Sequence, residues 1–279
     1  MSRALHLRPM STSIAFIGGG NMASAIIGGL LRSGRAAQSL IVVEPFEAQR
    51  AKLASDFGLH ALAAPDASLA GAGLVVWAVK PQLFAEAAAP CAGLLGQALQ
   101  LSVMAGIRSD ALAAATGSER VARAMPNTPA LIGQGIAGLF ARAAVSAADR
   151  ALVEQVLAPT GATLWVDEEA QLDAVTALSG SGPAYFFFIV EAMMAAAQQM
   201  GLSAEQGRQL ALATCGGAAA LGLQSSDSPT LLREKVTSKG GTTHAAISSL
   251  QADGVDAAIV RAVRAAEQRA RELGEEFGR

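Results

Sequence analysis

The sequence predicts an α/β chain in two parts: a parallel-sheet domain over residues 13–167 and an all-α domain over residues 168–279. Three observations carry this. Short β-rich runs alternate with helical stretches through the first half, which places helices on both faces of a parallel sheet. After about Asp167 the strand signals stop and only helical patterns follow. The first strand–helix junction, IAFIGGGNMASAI, is a glycine loop opening a helix at the start of a βαβ unit.

In order, the strand candidates are residues 14–18, 40–44, 74–79, 99–104, 120–124 and 163–166, with helices expected over 22–33, 47–57 and 82–95. The second part reads as helices over 169–178, 184–200, 203–223, 228–235, 243–252 and 255–275, broken at SGSGP, GLS, SSDSP and SKGG. The most apolar of these, AYFFFIVEAMMAAAQQM, carries Glu191, Gln198 and Gln199. It is shorter than the roughly 20 apolar residues a membrane span needs, so a buried bundle helix is expected and a membrane is not. At the other end, MSRALHLRPM carries basic residues but no apolar core long enough for a signal peptide after them, so residues 1–12 are expected to be a flexible leader or an overlong start. Arg261, Arg264, Arg269 and Arg271 of the last helix read as a solvated face.

The formal charge of −2 comes with no basic run, so nucleic acid is not an expected partner. Cys91 and Cys215 lie far apart without metal spacing, as expected of two core thiols in a reducing cytoplasm. His6, His60 and His244 form no cluster with cysteines or carboxylates, so no metal site is expected.

Chemistry is concentrated at two places. Gly18, Gly20 and Ala23 fit the dinucleotide fingerprint: a tight turn, close backbone approach to a pyrophosphate, and close helix–strand packing. With the following Asn21 and Met22 they are the candidate cofactor contacts of a Rossmann-type domain. Glu44 stands at the end of the second strand, where a carboxylate accepts hydrogen bonds from a free ribose 2′-hydroxyl and repels a 2′-phosphate. This leans toward NADH, with Arg50 and Lys52 the alternative partners for a phosphate. Lys80, before Pro81 in VVWAVKPQ, ends the next strand at the carboxyl edge where open α/β sheets bind ligands, and could face the nicotinamide or the substrate. The MAG turn over 104–106 ends the strand after that, and MPNTPA over 125–130 adds a loop stiffened by two prolines.

The second place is VTSKGGTTHAAISSL, residues 236–250. Two glycines and two threonines before an amphipathic helix make a bare helix N-terminus, able to hold a small carboxylate and bond a second polar atom of the same ligand. A redox cofactor site and a small-anion site in one chain point to a reductase for a small carboxylate. A hydroxyacid dehydrogenase needs a lysine on a helix of its second domain, and residues 184–200 contain none. A dinucleotide-binding regulator without catalysis is the alternative from another class.

The segments FIGGGNM, AVKPQ, MPNTPA, ALSGSGPAYFF and VTSKGGTT, in this order and over nearly the whole chain from Ser13, closely resemble pyrroline-5-carboxylate reductase. The resemblance implies reduction of Δ1-pyrroline-5-carboxylate to L-proline with NADPH or NADH, the last step of proline synthesis. It implies a Rossmann domain and a C-terminal helical dimerisation domain that interlocks with a second subunit, dimers that often assemble further into a decamer, and an active site between one subunit's nucleotide domain and helices of the dimer. By the same resemblance the substrate carboxylate falls to Ser238, Gly241 and Thr242, and the ring nitrogen to Thr243. Glu169 corresponds to a carboxylate near the substrate, and Ala78, Val79, Lys80, Pro81, Ala105 and Gly106 to the nicotinamide half, with Lys80 and Thr243 the catalytic candidates. Two departures, Glu44-Pro45-Phe46 after the second strand and Ala64-Pro65-Asp66 where an adenine-side Asn is usual, bear on the choice between NADPH and NADH and not on the reaction.

Overall fold

The computed structural model describes residues 12–277, so the leader expected over residues 1–12 falls almost entirely outside the described range. By contacts the chain divides into two compact units: residues up to Gly180 together with those from Glu267 onward, and Ser181–Ala266.

The first unit is built on seven strands, β1 (Ser13–Ile17), β2 (Leu40–Val43), β3 (Ala72–Trp77), β4 (Leu99–Ser102), β5 (Val121–Met125), β6 (Gly135–Ala141) and β7 (Gly161–Trp165), in the order β2-β1-β3-β4-β5-β6-β7. All neighbours pair parallel except β5 with β6. Period-two alternation sends successive side chains to opposite faces. Ile14 and Phe16 join a core with Ile26, Leu53 and Leu101 on one side, while Ala15 and Ile17 join Trp77, Ile107 and Leu112 on the other. Helices α1 (Asn21–Arg32), α2 (Glu47–Phe57), α3 (Phe84–Ala88), α4 (Ser109–Thr116) and α5 (Ala147–Leu157) supply these faces. Trp77 is fully buried, and its indole N–H is satisfied by Gln100 Oε1 at 2.8 Å, as a buried indole requires.

Five of the six expected strands overlap observed ones closely, and the sixth begins two residues earlier as β7. β6 was not expected. Its sequence GIAGLFA is glycine-rich, which lowers strand propensity, but both glycines answer to packing. A Cβ on Gly138 would lie 2.6 Å from Val175 Cγ1, and one on Gly135 would meet Ala130 backbone at 2.8 Å. The composition change near residues 165–169 and the division by contacts do not coincide. Residues 169–180 stay with the sheet because Glu169 and Asp173 pair with Arg123 and Arg108, and Val175 covers Gly138. The helix expected over 169–178 is a short α6 (Gln171–Val175) followed by a wider π-helical turn over Thr176–Gly180.

The second unit contains α7 (Gly182–Gln199), α8 (Ala204–Gln224), α9 (Pro229–Lys235), α10 (Thr242–Ala252) and the first part of α11 (Val255–Phe277). α7 and α8 pack closely where Gly207 meets Ala197, a would-be Cβ there being 3.0 Å from the alanine methyl. The expectation of a buried α7 is corrected: Phe186, Phe187, Phe188, Ile189 and Met193 are exposed in the single chain. This unit has too few helices to wrap them. The run Gln171–Gln199 is also 29 residues, long and apolar enough to cross a membrane by length and composition, because the π turn carries α6 on into α7. The expectation of core thiols holds for Cys91, which is fully buried with its pKa pushed up to about 11 by burial. Cys215, on α8, is only partly buried.

Candidate active site

The order β2-β1-β3-β4-β5 reverses direction between β1 and β3, the switch point where open α/β sheets leave a crevice at their carboxyl ends. The loops after β1, β3 and β4 stand there in a row. Gly18 has φ +96°, and its N–H is held by Val43 O of β2. A Cβ on it would lie 2.7 Å from Ala78 O and 2.9 Å from Val79 Cγ1, so Gly18, Ala78 and Val79 are in contact across the switch point. Gly20 differs. It caps α1 with ordinary extended angles, and nothing lies within 4 Å of where its Cβ would be. The described fold leaves the space beside that backbone open. No side chain caps α1 and its first turn carries no acid, so the N–H groups beside Asn21 and Met22 remain available to an anion. That open cradle fits a dinucleotide pyrophosphate.

Glu44 is placed beneath this loop. It is buried, with Oε2 accepting Gly19 N–H at 2.8 Å and Oε1 accepting Phe46 N–H at 2.9 Å. Gln49 and Ser24, for which the sequence offered no signal, both donate to Gly19 O. Arg50 donates to Glu44 O and Pro45 O, whereas Lys52 pairs with Asp56 a turn further along. Lys80 is exposed at the end of the β3 segment and makes no ion pair among the described residues. Pro81, beside it, begins a short helical turn. Ala105 and Gly106, half-exposed, form the turn after β4, Gly106 at φ +77°.

Glu169 lies in the same unit and is fully engaged. Oε1 accepts Ser109 N–H at 2.6 Å and Arg123 Nη1 at 2.7 Å, and Oε2 accepts the Ser109 hydroxyl at 2.6 Å. Burial works against its charge, but the Ser109 donors and the Arg123 guanidinium outweigh it and leave its pKa lowered. Arg123 is buried on β5; burial pushes its pKa down and the Glu169 carboxylate opposes this.

In the second unit α10 begins at Thr242 with Gly241 as its N-cap and no side-chain cap. The N–H groups of Thr242, Thr243 and His244 therefore have no partner within the helix. By contrast α5 and α8 each carry a full capping box, at Ser146 and Ser203. Gly241 N–H closes a turn onto Ser238 O, and a Cβ there would lie 2.8 Å from Ser238 Oγ, so the glycine leaves that hydroxyl free to turn. Ser238 and Thr242 are exposed, Thr243 is half-buried, and His244 is exposed in the first turn. The helical threonines Thr116, Thr160 and Thr176 donate to backbone carbonyls, but the Thr243 hydroxyl has no hydrogen-bond partner among the described residues.

Comparison with known proteins agrees with this two-part arrangement. Residues 13–106 match a family model described as NADP oxidoreductase, coenzyme F420-dependent, and residues 169–273 match pyrroline-5-carboxylate reductase dimerisation. The pyrroline-5-carboxylate reductase of Pseudomonas aeruginosa is 47% identical, over 96% of this chain and 100% of its own length. The chain belongs to the pyrroline-5-carboxylate reductase family. The family enzyme from Haemophilus influenzae is 42% identical over 93% of this chain and 97% of its own. Among solved structures, the pyrroline-5-carboxylate reductase of Coxiella burnetii superposes with a TM-score of 0.88 at 35% identity, covering 94% of this chain and 98% of that one. The Plasmodium falciparum pyrroline carboxylate reductase, solved with NADP bound, gives a TM-score of 0.83 at 26% identity over 95% and 98%. Family membership makes the chain a nicotinamide-dependent oxidoreductase, with the dinucleotide fingerprint in its first unit and a dimerisation match over residues 169–273 that includes the whole of its second.

Proposed function

We propose that the family's reaction, reduction of Δ1-pyrroline-5-carboxylate to L-proline by NAD(P)H as the last step of proline biosynthesis, is carried by two bare helix ends, α1 for the nucleotide and α10 for the substrate. The observation that carries this reading is Gly20, the uncapped N-cap of α1 within the dinucleotide fingerprint, with nothing among the described residues within 4 Å of where its Cβ would be. Gly18, Gly20, Asn21 and Met22 would hold the pyrophosphate, and Ala78, Val79, Lys80, Pro81, Ala105 and Gly106 would line the nicotinamide half. When bound, the reduced nicotinamide supplies the hydride.

The residues of this chain do the rest. The N–H groups at the start of α10, with the hydroxyls of Ser238 and Thr242 and the open backbone at Gly241, hold the substrate carboxylate, whose charge suits the positive helix end. Thr243 is a weak acid, so its uncommitted hydroxyl serves as the hydrogen-bond partner of the ring nitrogen and keeps the iminium proton in place. Lys80 adds positive charge at the carboxyl end of β3.

Either nucleotide serves, with NADH used at least as well as NADPH. Glu44 keeps a carboxylate beside the glycine loop, which disfavours a 2′-phosphate, while Arg50 brings a guanidinium to the same turn. A steady-state assay with pyrroline-5-carboxylate and each nucleotide in parallel tests this. Proline formed with oxidation of both is the expected result. Strict dependence on NADPH would overturn the reading of Glu44, and no turnover with either in protein that binds nucleotide would overturn the assignment.

A second copy of the chain covers the exposed apolar faces of α7 and α8, consistent with the dimerisation model that matches this region. Further assembly of dimers into a decamer is part of the same proposal, as is a cytoplasmic location, which the free thiols of Cys91 and Cys215 suit. Sedimentation velocity should show a dimer or a multiple of it; a stable monomer would remove this part.

A further inference from the structure

The strongest unassigned feature of the first unit is the way the segment after β4 is gripped. α4 begins at Ser109, directly after the Ala105–Gly106 turn, and has no capping side chain of its own at Arg108. Its cap comes from 60 residues away: Glu169 takes both the N–H and the hydroxyl of Ser109. Glu169 is anchored in turn by buried Arg123 on β5. Next to it, Arg108 Nη2 pairs with buried Asp173 at 2.9 Å. The end of α11 closes the third side. A Cβ on Gly274 would lie 2.6 Å from Arg108 Nη2, and one on Gly106 would lie 3.1 Å from Phe277 Cδ2. Every oxygen of Glu169 is thus turned toward the β4–α4 segment.

We infer that Glu169 is a positioning residue for the cofactor side, holding the Ala105–Gly106 turn through Ser109, rather than a substrate contact. This rests on the reading that Ala105 and Gly106 face the nicotinamide half. A carboxylate is suited to the task because it alone among side chains accepts from the N–H, the hydroxyl and a guanidinium together. Loss of it frees the first turn of α4, and the adjoining turn loses its fixed geometry.

The test measures the Kd of NADH and NADPH for the whole protein without substrate, and separately the KM for pyrroline-5-carboxylate at saturating nucleotide. Glu169→Ala should weaken both nucleotides about tenfold, since a small displacement of a positioning group has effects of that order or larger. Ser109→Ala removes one hydroxyl, leaves the Glu169–Arg123 pair intact, and should weaken them about threefold. It keeps the inference testable if Glu169→Ala folds poorly. Glu169→Gln can still accept the Ser109 N–H and donate to the hydroxyl, so it should recover most of the nucleotide affinity. The KM for the imine should move little in all three. Ala105→Val tests the underlying reading and should itself weaken nucleotide binding. A raised imine KM with unchanged nucleotide Kd would make Glu169 a substrate contact and overturn the inference. Unchanged values throughout for Glu169→Ala and Ser109→Ala, with Ala105→Val still effective, would overturn it alone. An ineffective Ala105→Val would overturn it together with the reading of the turn.

Discussion

Thr243→Ala should lower kcat about 100-fold, roughly 2.7 kcal/mol of barrier, while the Kd of either nucleotide stays within about twofold. The structure sharpens this expectation. An N-capping role for Thr243 would predict a loss of about 1 kcal/mol of stability on truncation. The N-cap is Gly241, however, and Thr243 is the second residue of α10, its hydroxyl without a hydrogen-bond partner among the described residues. Removing it should therefore leave the melting temperature nearly unchanged, the usual result for a partly exposed position with no bonded partner. A folded, nucleotide-binding and slow enzyme is the predicted phenotype, with Thr243→Ser restoring most of the rate. Turnover equal to that of the unmodified chain would remove Thr243 from the reaction.

The second large effect separates two glycines of one loop. Gly18→Ala puts a Cβ at φ +96°, 2.7 Å from Ala78 O and 2.9 Å from Ala78 C. Backbone cannot swing aside as a side chain can, so the β1–β3 contact must open. Strain at a left-handed position alone costs about 1–3 kcal/mol. Stability should fall by about 3 kcal/mol or more, the range reserved for such clashes, and nucleotide binding with it. Gly20→Ala puts the same methyl into open space at ordinary backbone angles. Its melting temperature should be unchanged or slightly raised, because alanine restricts the unfolded chain. Its nucleotide affinity should nevertheless drop about 100-fold, since the methyl stands where the pyrophosphate must approach the backbone. Thermal melts and nucleotide titrations of both variants decide the point. A Gly20→Ala protein that binds nucleotide normally would show that this cradle is not the cofactor site.

These contrasts mark how far the sequence reaches. Alternating strands and helices, the GxGxxA loop and the bare start of α10 were legible because each depends on residues near one another in the chain. Local spacing dictates which N–H groups a helix end leaves open and where a turn needs glycine. β6 was hidden because its glycines are placed by neighbours far away in sequence, Ala130 and Val175, against which a larger side chain would clash. The exposed apolar face of α7 was misread for a related reason: hydrophobicity says that a residue will be covered, not whether the cover comes from its own chain.

The sequence by itself determined the fold class, the dinucleotide loop, the anion-ready helix end and the kind of reaction. Tertiary structure alone decided which donors reach the carboxylates. Glu44 and Glu169 both stood out as candidate ligand contacts; the fold adds that Glu44 accepts the Gly19 and Phe46 N–H groups, and Glu169 the N–H and hydroxyl of Ser109 sixty residues away. A carboxylate's role follows from the donors that reach it, and those donors are brought together by strand order and packing, which no local pattern of residues encodes.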